Sequence, residues 1–274
     1  MNLKKFIVAV SIILIAVCIL CACQSSDSQT ETTADSALPE LNIGVDNLEP
    51  FFYTDENGSY AGIDADIAIE ACRRAGYTPH FIEIDWSNRD QYLQDGTIDC
   101  LWTAFIRNGR EDLYHWTDTY LQSNMRVIVS IKSPDADMKS TFEHGGVAVR
   151  AGSKAEEISL KNEGGLKPVQ VYSCGTFEMA ETAFVKGYIG ALCCHEAVLE
   201  KVMERYPGLY RFQDGSIMSA ELGVAFSKND SSEKYQKLNA ALVAMQEDGT
   251  IADISAEYRS DESHIEEVSA DVQK

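Results

Sequence analysis

Ile98-Asp-Cys-Leu-Trp102 is an apolar strand that runs into Thr103-Ala-Phe-Ile-Arg-Asn-Gly-Arg110-Glu-Asp, and Trp116-Thr-Asp-Thr-Tyr120 follows. The strand predicts a buried sheet, and Arg110 then falls on a polar loop just past its end. Loops at strand ends are where open α/β sheets take their ligands. A guanidinium placed there can grip a carboxylate through two parallel hydrogen bonds, which a lysine cannot reproduce. The plain alternative is a surface arginine paired with Glu111 or Asp112.

Upstream, Leu41-Asn-Ile-Gly-Val-Asp46 alternates as a strand and ends at an acid. Gly62-Ile-Asp-Ala-Asp66 opens a helix with Asp64 as its expected N-cap. Ile67, Ala71, Cys72 and Ala75 recur at helical spacing, and Gly76 stops the helix. Pro79 to Trp86 is a second strand and Arg89 to Gln94 a short helix. The order is βαβαβ, which favours a parallel sheet with helical crossovers. Asp46, Trp86 and Thr103 then stand at consecutive strand ends along one edge.

Downstream, Arg126 to Ile131 and Gly146 to Val149 read as strands. Ser153 with Glu156 makes a capping box, so a helix starts there, after a glycine turn. Free amides at such a helix start suit an anion. Val169 to Tyr172 and Tyr188 to Cys194 are further strands, the latter ending at His195. Gly175 to Lys186 and Glu196 to Arg205 are helices. Leu222 to Phe226 is a strand, and Glu233 to Asp248 and Ile251 to Tyr258 are closing helices.

The N-terminus carries Lys4 and Lys5 before an uncharged run from Phe6 to Ala22, which reads as an export signal over residues 1–22. Its end, Leu20-Cys-Ala-Cys23, resembles the bacterial lipobox, which implies lipidation of Cys23 after cleavage. A retained membrane anchor is the competing reading. Residues 23–40 read as a flexible tether and 259–274 as a polar tail. The formal charge is -20, and loss of Lys4 and Lys5 with the signal makes it -22. Such a chain does not bind nucleic acid through phosphates. It reaches the membrane through its lipid.

Five cysteines remain after Cys23: Cys72, Cys100, Cys174, Cys193 and Cys194. Cys174 and the Cys193–Cys194 pair could meet if their strands were neighbours. Cys193, Cys194 and His195 match no standard metal-ligand spacing. No metal and no cofactor is expected.

The ordered set Asp46, Pro50-Phe51, Gly62-Ile-Asp-Ala-Asp-Ile67, Asp85-Trp86, Leu93-Gln-Asp-Gly-Thr-Ile-Asp99, Gly109-Arg110-Glu111 and Trp116-Thr-Asp-Thr-Tyr120 resembles one known family. That family is the polar amino-acid-binding branch of the bacterial extracellular solute-binding proteins, family 3, of glutamine-binding type. The resemblance implies an α/β, two-domain periplasmic-binding-protein fold of type II. Each domain would be a mostly parallel sheet flanked by helices, and two crossover strands would join them. Domain 1 would comprise residues 41–130 plus 222–258, and domain 2 residues 134–219.

The resemblance further implies a monomeric, lipid-anchored, extracytoplasmic receptor for an amino acid, serving a membrane permease of an ABC importer. Arg110 and Ser153, with the Lys154 amide, would hold the ligand's α-carboxylate. Phe51 and Trp86 would wall the side-chain subsite, with Thr103 and Phe105 near the floor. The chain departs from the family at His195, where an aspartate usually takes the α-ammonium. Two hypotheses follow: Asp46 or Glu49 supplies that charge, or the ligand is not an ordinary α-amino acid. The rival class is a dehydratase acting on a cyclic carboxylic acid, with His195 and Glu196 or Glu49 as its acid–base groups. A sensor working through another protein is a third class.

Overall fold

Leu41, Ile43 and Val45 are fully buried along β1 (Glu40–Val45), an interior strand of a first sheet. The computed structural model describes residues 38–133, 146–163 and 168–258. The export signal, Cys23, most of the tether and the C-terminal tail lie outside the described residues. A hairpin of β2 (Tyr53–Thr54) and β3 (Tyr60–Ala61) leads into α1 (Ile63–Ala75). Gly76 ends that helix in the left-handed conformation that glycine adopts without strain.

β4 (Thr78–Glu83) pairs parallel with β1, and β5 (Cys100–Leu101) pairs parallel with its other edge. β6 (His115–Trp116) and the late strand β13 (Ala225–Phe226) complete the sheet in the order β4-β1-β5-β13-β6. Between β4 and β5, α2 (Arg89–Gln94) follows a 3₁₀ turn at Trp86–Asn88. The sequence carried β4 on to Trp86, but Asp85 accepts the Ser87 N–H at 3.0 Å and turns the chain early.

The second sheet contains β7 (Leu121–Ser130), β8 (Gly146–Arg150), β9 (Gln170–Cys174), β10 (Ala191–His195), β11 (Tyr210–Phe212) and β12 (Met218–Leu222). β8 is parallel to β9 and β10, whereas β7 is antiparallel to β10, β11 and β12. Among the described residues it is accompanied by α3 (Lys154–Lys161), α4 (Phe177–Val185) and α5 (Glu196–Arg205). The chain then returns to the first sheet, where α6 (Glu233–Glu247) packs on α1 and α7 (Thr250–Glu257) follows.

Residues 121–130 were expected in domain 1, and the structure places them in the second sheet. Val127, Ile128 and Val129 are fully buried there. The two crossovers also pair with each other, from Leu222 opposite Leu121 to Met218 opposite Met125. They form an antiparallel ribbon between the sheets, tied to the loop after β5 by Arg107 N–H donating to Glu221 O at 2.9 Å. The expected strand Leu222–Phe226 is split at Gly223, because its two halves serve different sheets.

Cys174 and Cys193 stand on β9 and β10, which β8 separates. The five described cysteines are free thiols, and Cys174 does not meet the Cys193–Cys194 pair because their strands are not neighbours. Among the described residues no helix is long and apolar enough to cross a membrane, and no cluster of metal-ligating side chains occurs.

Candidate functional site

The site grows from the loop after β5. Trp116 Nε1 donates to Arg110 O at 2.9 Å, and Arg110 N–H donates to Arg107 O at 2.8 Å, so the backbone at Arg110 is fixed. Its side chain is 5% exposed and reaches toward the second sheet's helices. There Nη2 donates to Glu157 Oε2 at 3.1 Å. The sequence offered Glu111 or Asp112 as its partner. Glu111 instead accepts the Gly109 N–H at 2.9 Å. Burial lowers the Arg110 pKa, and the nearby Arg89 charge adds to that, against the opposing pull of Glu157.

Facing Arg110 is the start of α3. Ser153 is the N-cap, and its Oγ accepts the Glu156 N–H at 3.1 Å. Glu156 in turn accepts the Gly152 N–H at 2.7 Å. The Lys154 and Ala155 amides, first in the helix, have no intrahelical acceptor. They are the donors an anion would meet. Lys154 is itself 8% exposed, and its Nζ donates to Glu157 Oε1 at 3.0 Å. Burial raises the Glu157 pKa, but hydrogen bonds from Lys161 and Lys154 and the Arg110 charge outweigh it and hold the carboxyl at about 2.

The floor is aromatic. Trp86 and Phe105 meet edge to face with centroids 5.2 Å apart. Arg110 Cζ lies 5.3 Å from the Phe105 centroid, and Arg150 Cζ lies 4.7 Å from that of Trp86. Such cation–π stacking holds a buried guanidinium in place. Arg150, at the end of β8, is ion-paired through Nη1 with Asp46 Oδ2 at the end of β1. Burial lowers its pKa to about 10, with the neighbouring Cys194 acting the other way, so it stays cationic at neutral pH. Sequence reasoning passed over Arg150. Its position one strand-end before the Gly152 turn was the available signal.

These side chains enclose an inner cavity lined by Trp86, Phe105, Arg110, Arg150, Ser153, Lys154 and His195, among others. No acidic side chain lines it among the described residues. His195 is buried, with Nδ1 3.0 Å from Ser123 Oγ. Burial and the Arg150 charge lower its pKa to about 3, against an opposing backbone interaction with Ala104. It is therefore a neutral imidazole.

The other expected residues stand elsewhere. Thr103 accepts the Asp46 N–H at 3.2 Å and donates to Trp102 O, so it ties β1 to β5 from within the core. Phe51 packs edge-on under the His195 ring at 5.3 Å and does not reach the cavity wall. Glu49 pairs with Arg205 at 2.8 Å. With Asp46, Glu83, Glu178 and Glu181 it lines a second, outer crevice between the lobes. Asp64 does not cap α1, whose N-cap is Gly62. It lies fully buried and accepts the Ala104 N–H at 2.6 Å and the Tyr120 hydroxyl at 2.8 Å. It thereby holds Ala104, whose φ is +42°, in the cavity wall. Burial pushes the Asp64 carboxyl up to about 7, against those two hydrogen bonds.

The fold recurs in known proteins. Over 273 residues the chain is 22% identical to the probable amino-acid-binding protein YxeM of Bacillus subtilis (strain 168), covering 97% of this chain and 99% of that protein. It is 25% identical to the L-cystine-binding protein TcyA of the same organism, covering 93% and 97%. The fold matches an ancestral arginine-binding protein bound to arginine with a TM-score of 0.73, at 24% identity over 81% of this chain and 98% of that one. It also matches the ancestral amino acid-binding protein AncCDT-1, a precursor of cyclohexadienyl dehydratase, with a TM-score of 0.71 at 22% identity over 81% and 96%. The model of the bacterial extracellular solute-binding proteins, family 3, matches residues 41–261, and the chain belongs to that family.

Proposed function

We propose that the protein is a receptor for a small carboxylate-bearing solute, a polar amino acid, held between the two sheets. The carrying observation is the buried Arg110 guanidinium facing the free amides of Lys154 and Ala155 across the cleft. One carboxylate can bridge these donors and so hold the two lobes together. The β7–β12 ribbon would act as the hinge. The relatives named for amino-acid binding support the class of solute. In this reading the protein is a monomer anchored by lipid on Cys23 outside the cytoplasm. It hands its cargo to the permease of an ABC importer, and closure signals occupancy.

The rival reading, dehydration of a cyclic carboxylic acid, needs a side chain that exchanges a proton near neutral pH. His195, held near pKa 3 by burial, suits that task poorly. The test is thermal unfolding of residues 39–274 against the common amino acids and a set of non-amino carboxylates. A solute at a hundred times its Kd adds roughly 2.7 kcal/mol of apparent stability. The shift is expected to vanish in Arg110→Ala. Turnover of a prephenate-like substrate would move the protein to the enzyme class.

A further inference from the structure

We infer that the solute carries two acid groups, one taken by Arg110 and the α3 amides and the other by Arg150. The inference rests on the receptor reading and names its class of cargo.

Arg110, Arg150 and Lys154 all line the inner cavity, and each is at least nine-tenths buried. The carboxylates that balance them, Glu157 and Asp46, do not line it. Three cations thus meet two acids, and Glu157 is shared further with Lys161 at 2.9 Å. A zwitterion adds no net charge and leaves that surplus buried. A solute of net charge -1, two acid groups and one ammonium, cancels it.

The geometry at Arg150 points the same way. Its Nη1 is ion-paired with Asp46 Oδ2, and of the two residues only Arg150 lines the inner cavity. An incoming carboxylate can take the guanidinium's parallel N–H groups in the bidentate form that a planar fork favours. Asp46 is then released. It can then turn to an α-ammonium, a charge that the neutral His195 does not supply. Arg150 therefore exchanges an internal carboxylate for an external one.

The acidic outer crevice offers the opposite choice, a cationic side chain lying against Asp46, Glu49, Glu178 and Glu181. Calorimetry on residues 39–274 at pH 7 separates the two, with L-glutamate, L-aspartate and glutarate set against L-glutamine and L-arginine. A diacid is expected to bind at least tenfold more tightly than L-glutamine and L-arginine. Arg150→Gln is expected to remove that preference, with the diacid affinity falling to the level of the L-glutamine affinity measured on the same variant. Arg150→Lys keeps the charge but loses the fork and should fall between, and far-UV circular dichroism checks that both variants are folded. L-glutamine or L-arginine binding as tightly as the best diacid overturns the inference, and so does an unchanged preference in folded Arg150→Gln. In those cases loss of binding in Arg110→Ala still upholds the receptor reading. Binding by none of these solutes overturns both.

Discussion

The inner cavity and the outer crevice lie side by side between the same two lobes and carry opposite charge. The inner one, about 30 Å³, is lined by Arg110, Arg150 and Lys154. The outer one, about 600 Å³, is lined by Asp46, Glu49, Glu83, Glu178 and Glu181 with Arg205. Phe177 borders both, and the Arg150–Asp46 pair joins them, because Arg150 faces inward and Asp46 outward. The difference shows how a chain of formal charge -20 can present a cationic site. Net charge is an average over the surface, whereas a buried wall of a few side chains sets the local potential.

The largest effect is expected from breaking the partition. Asp46→Asn leaves the Arg150 guanidinium buried without its counterion. Removing one partner of a buried pair costs roughly 3–5 kcal/mol. The Asp46 side chain keeps 14% exposure, so about 3 kcal/mol is expected from urea unfolding. A loss under about 1 kcal/mol would show that the two charges do not depend on each other.

A somewhat smaller effect is expected from pH, because two buried groups with opposite responses meet at Ala104. Asp64 has its pKa raised from 3.8 to about 7. Its contribution is complete below 3.8 and is lost as pH rises through 7. His195 has its pKa lowered from 6.5 to about 3. Its contribution is complete above 6.5 and is lost as pH falls toward 3. Asp64→Asn keeps an acceptor for the Ala104 N–H. From pH 5 to 8 it should gain about 2 kcal/mol on the parent, at about 1.4 kcal/mol per pKa unit. Parallel stability curves for the two proteins would show that Asp64 does not titrate in that window.

Gly152 lies against Ser87, Trp86 and Arg89 of the other lobe. Its φ is +73°, and a Cβ there would stand 2.8 Å from Arg89 Nη1, which donates to Gly152 O at 3.2 Å. Gly152→Ala should cost about 1–2 kcal/mol from backbone conformation. It should also part the lobes, seen as a larger radius of gyration in X-ray scattering. Unaltered scattering would mean that Arg89 moves aside and the contact does not hold the cleft shut.

Arg110 and Ser153 were legible because local signals mark them: an apolar strand ending in a polar loop, and a capping box after a glycine. The α/β class followed from the βαβαβ order. The Arg150–Asp46 pair was not legible, since it depends on two strand ends brought together only by lobe packing. Thr103 and Phe51 sit at the right strand end and loop but point into the core, and spacing does not encode that direction. An alternating strand such as Leu121–Ser130 reads the same in either sheet, so its membership could not be read locally. The two- and three-residue strands β6 and β11 are too short to show a period.

The smallest effect is expected where the sequence offered Glu49 as a counterpart for an ammonium. Glu49 and Arg205 keep 42% and 39% side-chain exposure. Arg205 also holds Glu181 through Nε at 3.1 Å and Nη2 at 2.8 Å. Removing Glu49 therefore leaves Arg205 with a two-bonded partner, and exposed pairs contribute about 0.2–1 kcal/mol. Glu49→Gln should shift stability by under about 0.5 kcal/mol. It should also leave the affinity for the solute that stabilises the parent within about twofold. A fivefold or greater loss of affinity would place part of the solute in the outer crevice. The boundary at Asp46 and Arg150 would then be open when the cleft is filled, and the two cavities would act as one site.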